Sequence, residues 1–129
     1  MSLNQALAEL QSKIGQEIHT SDWLTVDQAM IDAFAGATRD KQWIHTDPAR
    51  AATESPYGKT IAHGYLTLSL YPLLRGLVDE GKPLAPGGHR SVNCRISKLR
   101  FPSAVSGGRR NRAHCKLVSV AEVKGSLEL

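Results

Sequence analysis

Gly64-Tyr-Leu-Thr-Leu-Ser-Leu-Tyr-Pro-Leu-Leu-Arg-Gly-Leu-Val-Asp-Glu80 is the segment from which the fold is read. Its apolar residues Tyr65, Leu66, Leu68, Leu70, Tyr71, Leu73, Leu74, Leu77 and Val78 fall on nearly every side of a helix running from Gly64 to about Glu80. A helix that is apolar all round belongs inside a domain. Pro72 within it costs a backbone hydrogen bond and implies a kink, which a packed surround must tolerate. The segment also contains no carboxylate between Gly64 and Val78.

Upstream of it the sequence is mostly helical. Ser2 and Gln5 form a capping box, and Leu3, Leu7, Leu10 and Ile14 recur at helical spacing until Gly15 offers a left-handed stop. A strand-like piece runs from Glu17 to Leu24. Thr25 with Gln28 reads as a second capping box, and Val26, Ala29, Met30, Ala33, Phe34 and Ala37 make one stripe of a helix ending near Thr38. That leaves Asp40 to His45 in a loop. Asp47-Pro48 is an N-cap followed by a proline at the first helical position, which predicts a short helix to about Thr53.

Downstream the period changes. Val92, Cys94 and Ile96 alternate, Leu99 and Phe101 continue on the opposite parity, and the slip implies a bulge near Ser97-Lys98. Ala113, Cys115 and Leu117 form another alternating run, and Leu127 and Leu129 begin one more. Helices first and strands last predict an α+β domain whose sheet wraps the central helix at about 64–80.

A chain of 129 residues is the size of one ordinary domain, so residues 1–129 are read as a single one. Aromatic residues make up only 5%, too few for a base-stacking platform, and no recognition motif accompanies the basic residues, so nucleic acid is not expected as a partner. The net charge of +4, its excess concentrated late in Arg90, Arg95, Lys98, Arg100, Arg109, Arg110, Arg112 and Lys116, favours an anionic partner, and a phosphorylated cofactor or a plainly solvated charged face fits it as well. Cys94 and Cys115 lack metal-ligand spacing, and the N-terminal residues carry Glu9 and Glu17 without a long apolar core. Reduced thiols in a cytoplasmic protein are therefore the expectation. The apolar run Tyr65 to Leu74 is far below membrane-spanning length.

The chemistry is expected between Asp40 and Gly64. Asp40 and His45 are candidates for a proton-transfer pair in a loop that Trp43 and Ile44 hold against the core, the alternatives being a carboxylate that caps a turn and a histidine satisfied by a backbone carbonyl. Ala62-His63-Gly64 opens the central helix, whose first-turn N–H groups lack intrahelical partners and carry positive potential. Glycine at 64 lets a ligand approach that backbone closely. His63 reads as more structural than catalytic.

The run Phe34-Ala-Gly-Ala-Thr-Arg-Asp40-Lys-Gln-Trp-Ile-His45-Thr-Asp-Pro-Ala-Arg-Ala51, followed by Thr60-Ile-Ala-His-Gly64, resembles the signature of the MaoC-like, (R)-specific enoyl-CoA hydratases. The resemblance is strongest to the nodulation-protein-N-like branch, and Leu99-Arg100-Phe101-Pro102 is similar to a later motif of that branch. It implies a hot-dog fold, usually a homodimer joined edge to edge. It also implies a catalytic acid and histidine at Asp40 and His45, and an oxyanion donor at Gly64. Ile44, Ala62, His63, Tyr65 and Arg100, which flank these motifs, are then expected to bind substrate.

The implied reaction is reversible hydration of a trans-2-enoyl-CoA to an (R)-3-hydroxyacyl-CoA, with no cofactor beyond the coenzyme A of the substrate and no metal. The late arginines would meet the phosphates of that coenzyme A. Arg39 stands where the family usually has glycine, and Cys94-Arg95 where the branch carries Tyr-Gly. The family's sheet ordinarily continues beyond the counterpart of Leu129, so a domain truncated at its C-terminus is expected. Two alternatives stay open: a catalytically weakened acyl-CoA-binding or assembly subunit, and a hot-dog thioesterase, disfavoured because the central helix carries no carboxylate.

Overall fold

Trp23 begins a segment whose elements are all built on local signals. β2 (Leu24–Val26) takes up Thr25, so the helix cap falls to Asp27, whose side chain accepts from Met30 N at 2.9 Å. The expected Thr25–Gln28 capping box is thus replaced by an Asp27 cap, and Gln28 becomes free to reach elsewhere. α2 (Gln28–Thr38) ends where its apolar stripe ends, with Arg39 in the left-handed region at φ 65°. A four-residue helix, α3 (Trp43–Thr46), occupies part of the span expected to be loop and carries His45. α4 (Pro48–Glu54) follows the Asp47-Pro48 signal, with Asp47 accepting from Arg50 N at 3.0 Å.

The structure is a computed structural model that describes residues 1–88 and 90–129. Two compact units are distinguished by their internal contacts. One comprises Trp23–Tyr71 and Ile96–Asn111, the other Met1–Asp22, Pro72–Arg95 and Arg112–Leu129.

In the first of these, β2 pairs antiparallel with β3 (Arg109–Asn111), Val26 opposite Arg109. Val26, Ile31, Ala62 and Leu66 form its core, flanked by Met30, Phe34, Leu70 and Val105. Val26 and Ile31 are fully buried, each contributing about 1.5–3 kcal/mol of transfer free energy. The backbone of Thr60 to Ala62 is tied to the Val105–Gly107 segment: Ala62 N donates to Val105 O at 2.7 Å and Gly107 N to Thr60 O at 3.0 Å. Ile61 N donates to Ile44 O at 3.1 Å. These bonds join the start of the next helix, α5 (Gly64–Ser69), to α3.

In the other unit, α1 (Leu3–Gln11) carries the full Ser2–Gln5 capping box, and Gly15, at φ 85°, donates to Leu117 O at 2.7 Å. β1 (Glu17–Thr20) pairs antiparallel with β4 (His114–Lys116). β5 (Ala121–Val123) and β6 (Ser126–Glu128) form a hairpin whose two turn residues, Lys124 and Gly125, both have positive φ, the geometry that suits a two-residue turn to strand twist. Leu10, Leu117 and Val120 are its core. A hydrogen bond from the Thr20 hydroxyl and a contact with His114 hold the Glu17 carboxyl below the usual carboxylate range, while burial pushes the Cys115 thiol up.

The long helix expected over about 64–80 is instead α5 followed by α6 (Tyr71–Arg75). Pro72 falls in the first turn of α6, where its missing N–H is not needed. Gly76, at φ 81°, then stops the chain: Gly76 N donates to Leu73 O at 3.0 Å and Leu77 N to Pro72 O at 2.8 Å, a Schellman cap. Nor is the segment buried all round, since Leu66 alone of α5 and no residue of α6 is buried. The alternating run from Val92 to Phe101 forms no strand, and Val92, Ile96, Leu99 and Phe101 are exposed. Alternation specifies which face of a strand is apolar; a ladder also needs a partner edge. The architecture is α+β, and every strand pair among the described residues is antiparallel.

Candidate active site

Asp40 follows the left-handed turn at Arg39 and is half-buried. Its amide donates to Thr38 Oγ1 at 3.4 Å, and its Oδ1 accepts from Gln42 Nε2 at 3.2 Å. The carboxylate is thus anchored by one neighbour and keeps further acceptor capacity.

His45 is 9% exposed. Its Nδ1 lies 2.7 Å from Ile61 O, and since a carbonyl can only accept, Nδ1 carries a proton, which in the neutral ring leaves the lone pair on Nε2. The His45 carbonyl accepts from Gln28 Nε2 at 2.7 Å, so α3 is held from α2 as well. Gln28 Oε1 in turn accepts from the Thr60 hydroxyl at 2.5 Å.

His63 is the residue before α5 and is 4% exposed. Its Nε2 donates to the main-chain carbonyl of Asp40 at 2.9 Å. The His63 ring stacks on His45, with centroids 3.8 Å apart and planes 24° from parallel, and its other neighbour is Phe34 at 4.9 Å. Donor atoms of Asp40, His45 and His63 all lie within 4.8 Å of one another. These three could be considered as metal ligands, but imidazole lone pairs lie in the ring plane. Two stacked rings therefore direct them nearly side by side rather than toward one ion, which suits a proton-transfer site better than a tetrahedral metal centre.

Gly64 is the first residue of α5. A Cβ placed on it would lie 3.1–3.2 Å from the Phe101 ring, so glycine lets that ring lie this close to the helix start. Phe101 also meets Tyr65 edge-on at 6.1 Å.

The other residues expected to bind substrate are more scattered. Ile44 is half-buried on α3, and Ala62 is in the core. Tyr65 is 70% exposed, and Arg100 is exposed. Arg95 pairs with Glu128, and Arg110 lies over the Trp23 ring at 5.3 Å. Asp40, His45 and His63 are brought together, with Gly64 adjoining His63 in the chain. Sequence reasoning missed Gln28, which had been absorbed into a cap, and the packing of Phe101 on Gly64. The glycine in His63-Gly64 followed by an apolar run was the available signal for a close approach there.

The chain belongs to the MaoC-like family: the profile of the MaoC like domain matches residues 9–128. The family's fold is the hot-dog fold, so the α+β hot-dog class read from the sequence stands. Among curated relatives it is 49% identical over 107 residues to Nodulation protein N of Rhizobium leguminosarum bv. viciae, covering 83% of this chain and 65% of that protein. It is 46% identical over 113 residues to Nodulation protein N of Rhizobium meliloti, covering 88% and 67%. It is 41% identical over 119 residues to 3-hydroxyacyl-thioester dehydratase Z of Mycobacterium tuberculosis, covering 92% and 76%. The chain thus spans about two thirds of the length of the nodulation proteins it matches. No helix of the described residues is long and apolar enough to cross a membrane.

Proposed function

We propose that this protein catalyses the reversible hydration of a trans-2-enoyl thioester of coenzyme A to the (R)-3-hydroxyacyl thioester. The observation that carries the reading is the convergence of the Asp40 carboxylate with His45, whose Nδ1 is committed to Ile61 O and whose Nε2 is thereby left as a base. A relative named as a 3-hydroxyacyl-thioester dehydratase supports it.

In the hydration direction, Asp40 and His45 hold one water. The pair takes a proton from that water as its oxygen attacks C3 and hands the same proton on to C2 from the same side, so both additions occur on one face. The Gly64 N–H stabilises the negative charge that develops on the thioester oxygen, an interaction worth about 2.7–4 kcal/mol per well-placed donor. Exposed arginines such as Arg100 meet the coenzyme A phosphates. No resident cofactor or metal takes part.

The family match runs across both compact units, which supports reading residues 1–129 as one domain. The exposed apolar residues Ile96, Leu99 and Phe101 favour a homodimer in which a second chain covers them, and the two free cysteines favour a cytoplasmic location.

A second reading, an acyl-CoA-binding subunit with weakened catalysis, is favoured by one feature: the Phe101 ring lies against Gly64, where the thioester oxygen must come. Hydration of crotonyl-CoA, followed by loss of enoyl absorbance, separates the two. The hydratase reading expects turnover that falls at least about 100-fold in Asp40→Asn and His45→Gln, with unchanged folding. Thioester binding without turnover in the parent protein would favour the second.

A further inference from the structure

We infer that His63 is a positioning residue that sets the separation of Asp40 from His45. The inference rests on the hydratase reading and deepens it. Two bonds to the pair meet in one side chain: a hydrogen bond to the Asp40 carbonyl at 2.9 Å and a ring stack on His45 at 3.8 Å. At 4% exposure, lower than His45, the ring is shut away from a ligand in solution and acts through its neighbours.

The identity of the side chain carries the argument. His63 Nδ1 is buried and has no hydrogen-bond partner among the protein groups. A buried polar atom left unpaired is unfavourable, and a phenyl ring would fill the same place against Phe34 and His45 without that cost. What a phenyl ring lacks is the Nε2–H. The orphaned Nδ1 is therefore the accompaniment of a donor that only the other ring nitrogen can supply. That donor gives the Asp40 backbone a long-range anchor one residue beyond the left-handed turn at Arg39, where the bonds from Asp40 N to Thr38 Oγ1 and from Lys41 N to Arg39 O are local. His63 is also joined covalently to Gly64, so one residue ties the acid, the imidazole and the oxyanion donor together.

Three variants and one spectrum test this. In His63→Phe, which keeps the stack and loses the donor, kcat is expected to fall about 30- to 100-fold while KM stays within about threefold, the signature of misplaced reacting groups rather than lost binding. In His63→Gln, whose amide can reach the same carbonyl, kcat is expected to recover to within about tenfold of the parent protein. A His63→Phe protein with parental kcat, or His63→Gln no better than His63→Phe, overturns the inference. If Asp40→Asn is inactive in the same assay, such a failure leaves the hydratase reading intact; if Asp40→Asn is fully active, both fall. Folding of the variants is not required for the spectrum: nitrogen-15 signals of the parent protein's histidines should show His63 protonated at Nε2 with a slowly exchanging proton. A proton at Nδ1 instead overturns the inference.

Discussion

Gln28 reaches from the first turn of α2 to the main-chain carbonyl of His45, 2.7 Å away, and the same amide group accepts from the buried hydroxyl of Thr60 at 2.5 Å. Neither bond belongs to a helix ladder or a cap. Together they fix the histidine's backbone while the Ile61 carbonyl fixes its ring.

Gln28→Ala leaves the Thr60 hydroxyl and the His45 carbonyl without this partner, and is expected to cost about 1–3 kcal/mol in urea unfolding. The effect should be coupled to Thr60: in a double-mutant cycle with Thr60→Val, an interaction energy of about 0.5–3 kcal/mol is expected, and additivity within error would mean that the two side chains do not communicate.

Arg39 holds φ 65° with an ordinary side chain, where the family resemblance led to glycine being expected. The left-handed conformation costs a non-glycine residue about 1–2 kcal/mol, part of which glycine returns through its greater freedom when unfolded. Arg39→Gly is therefore expected to raise stability by about 0.5–1 kcal/mol in thermal unfolding. A lowered melting temperature would show that the arginine side chain contributes more than its backbone strain removes.

Gly64 has no positive φ to defend, so its constraint is one of space. Gly64→Ala brings a methyl group against the Phe101 ring, and because that ring is half-exposed it can move aside. The expected cost is at the low end of overpacking, about 1 kcal/mol, and it should vanish in a Phe101→Ala background. A cost that persists there would place the clash elsewhere.

Glu17, its carboxyl held below the usual range first by the Thr20 hydroxyl and then by His114, makes a pH-dependent contribution. A carboxyl whose folded-state pKa is depressed stabilises the fold above its unfolded value, and that contribution is lost as pH falls through the folded value. The stability of the parent protein should therefore decline below the ordinary carboxylate range more than that of Glu17→Gln. Because Glu17 is on the surface, the difference should be small and shrink in high salt. Parallel pH profiles would remove Glu17 from the account.

Much of this was legible in the sequence, for reasons that differ by element. The Ser2–Gln5 box and the Asp47-Pro48 start depend on side chains within one turn, and both form as read. The motifs around Asp40, His45 and His63-Gly64 were legible as a family signature because they set particular residue types at fixed spacings. The family they pointed to is the family the chain belongs to. The helix over 64–80 was misread because apolar residues outvoted Gly76, whose left-handed turn closes a cap that a composition pattern cannot see. Gln28 was misread because two competing caps lay two residues apart, and the choice of Asp27 depended on β2 claiming Thr25. The stack of His63 on His45 was invisible, since it joins residues whose proximity is decided by the Ile61–Ile44 bond and not by any local pattern.

The pairing of β1 with β4 has a consequence for how the chain is made. Glu17 is bonded across the ladder to the level of Lys116, and Gly15 to Leu117, so the first helix and strand leave the ribosome long before their partners exist. At a synthesis rate of about 5–20 residues per second, that interval is on the order of 5–20 s. During it Leu7, Leu10 and Ile18 have no Leu117 or Val120 to pack against. The nascent segment over residues 3–20 is thus a natural client for chaperones, whereas the β5–β6 hairpin joins strands separated by two turn residues and can close within microseconds of its release.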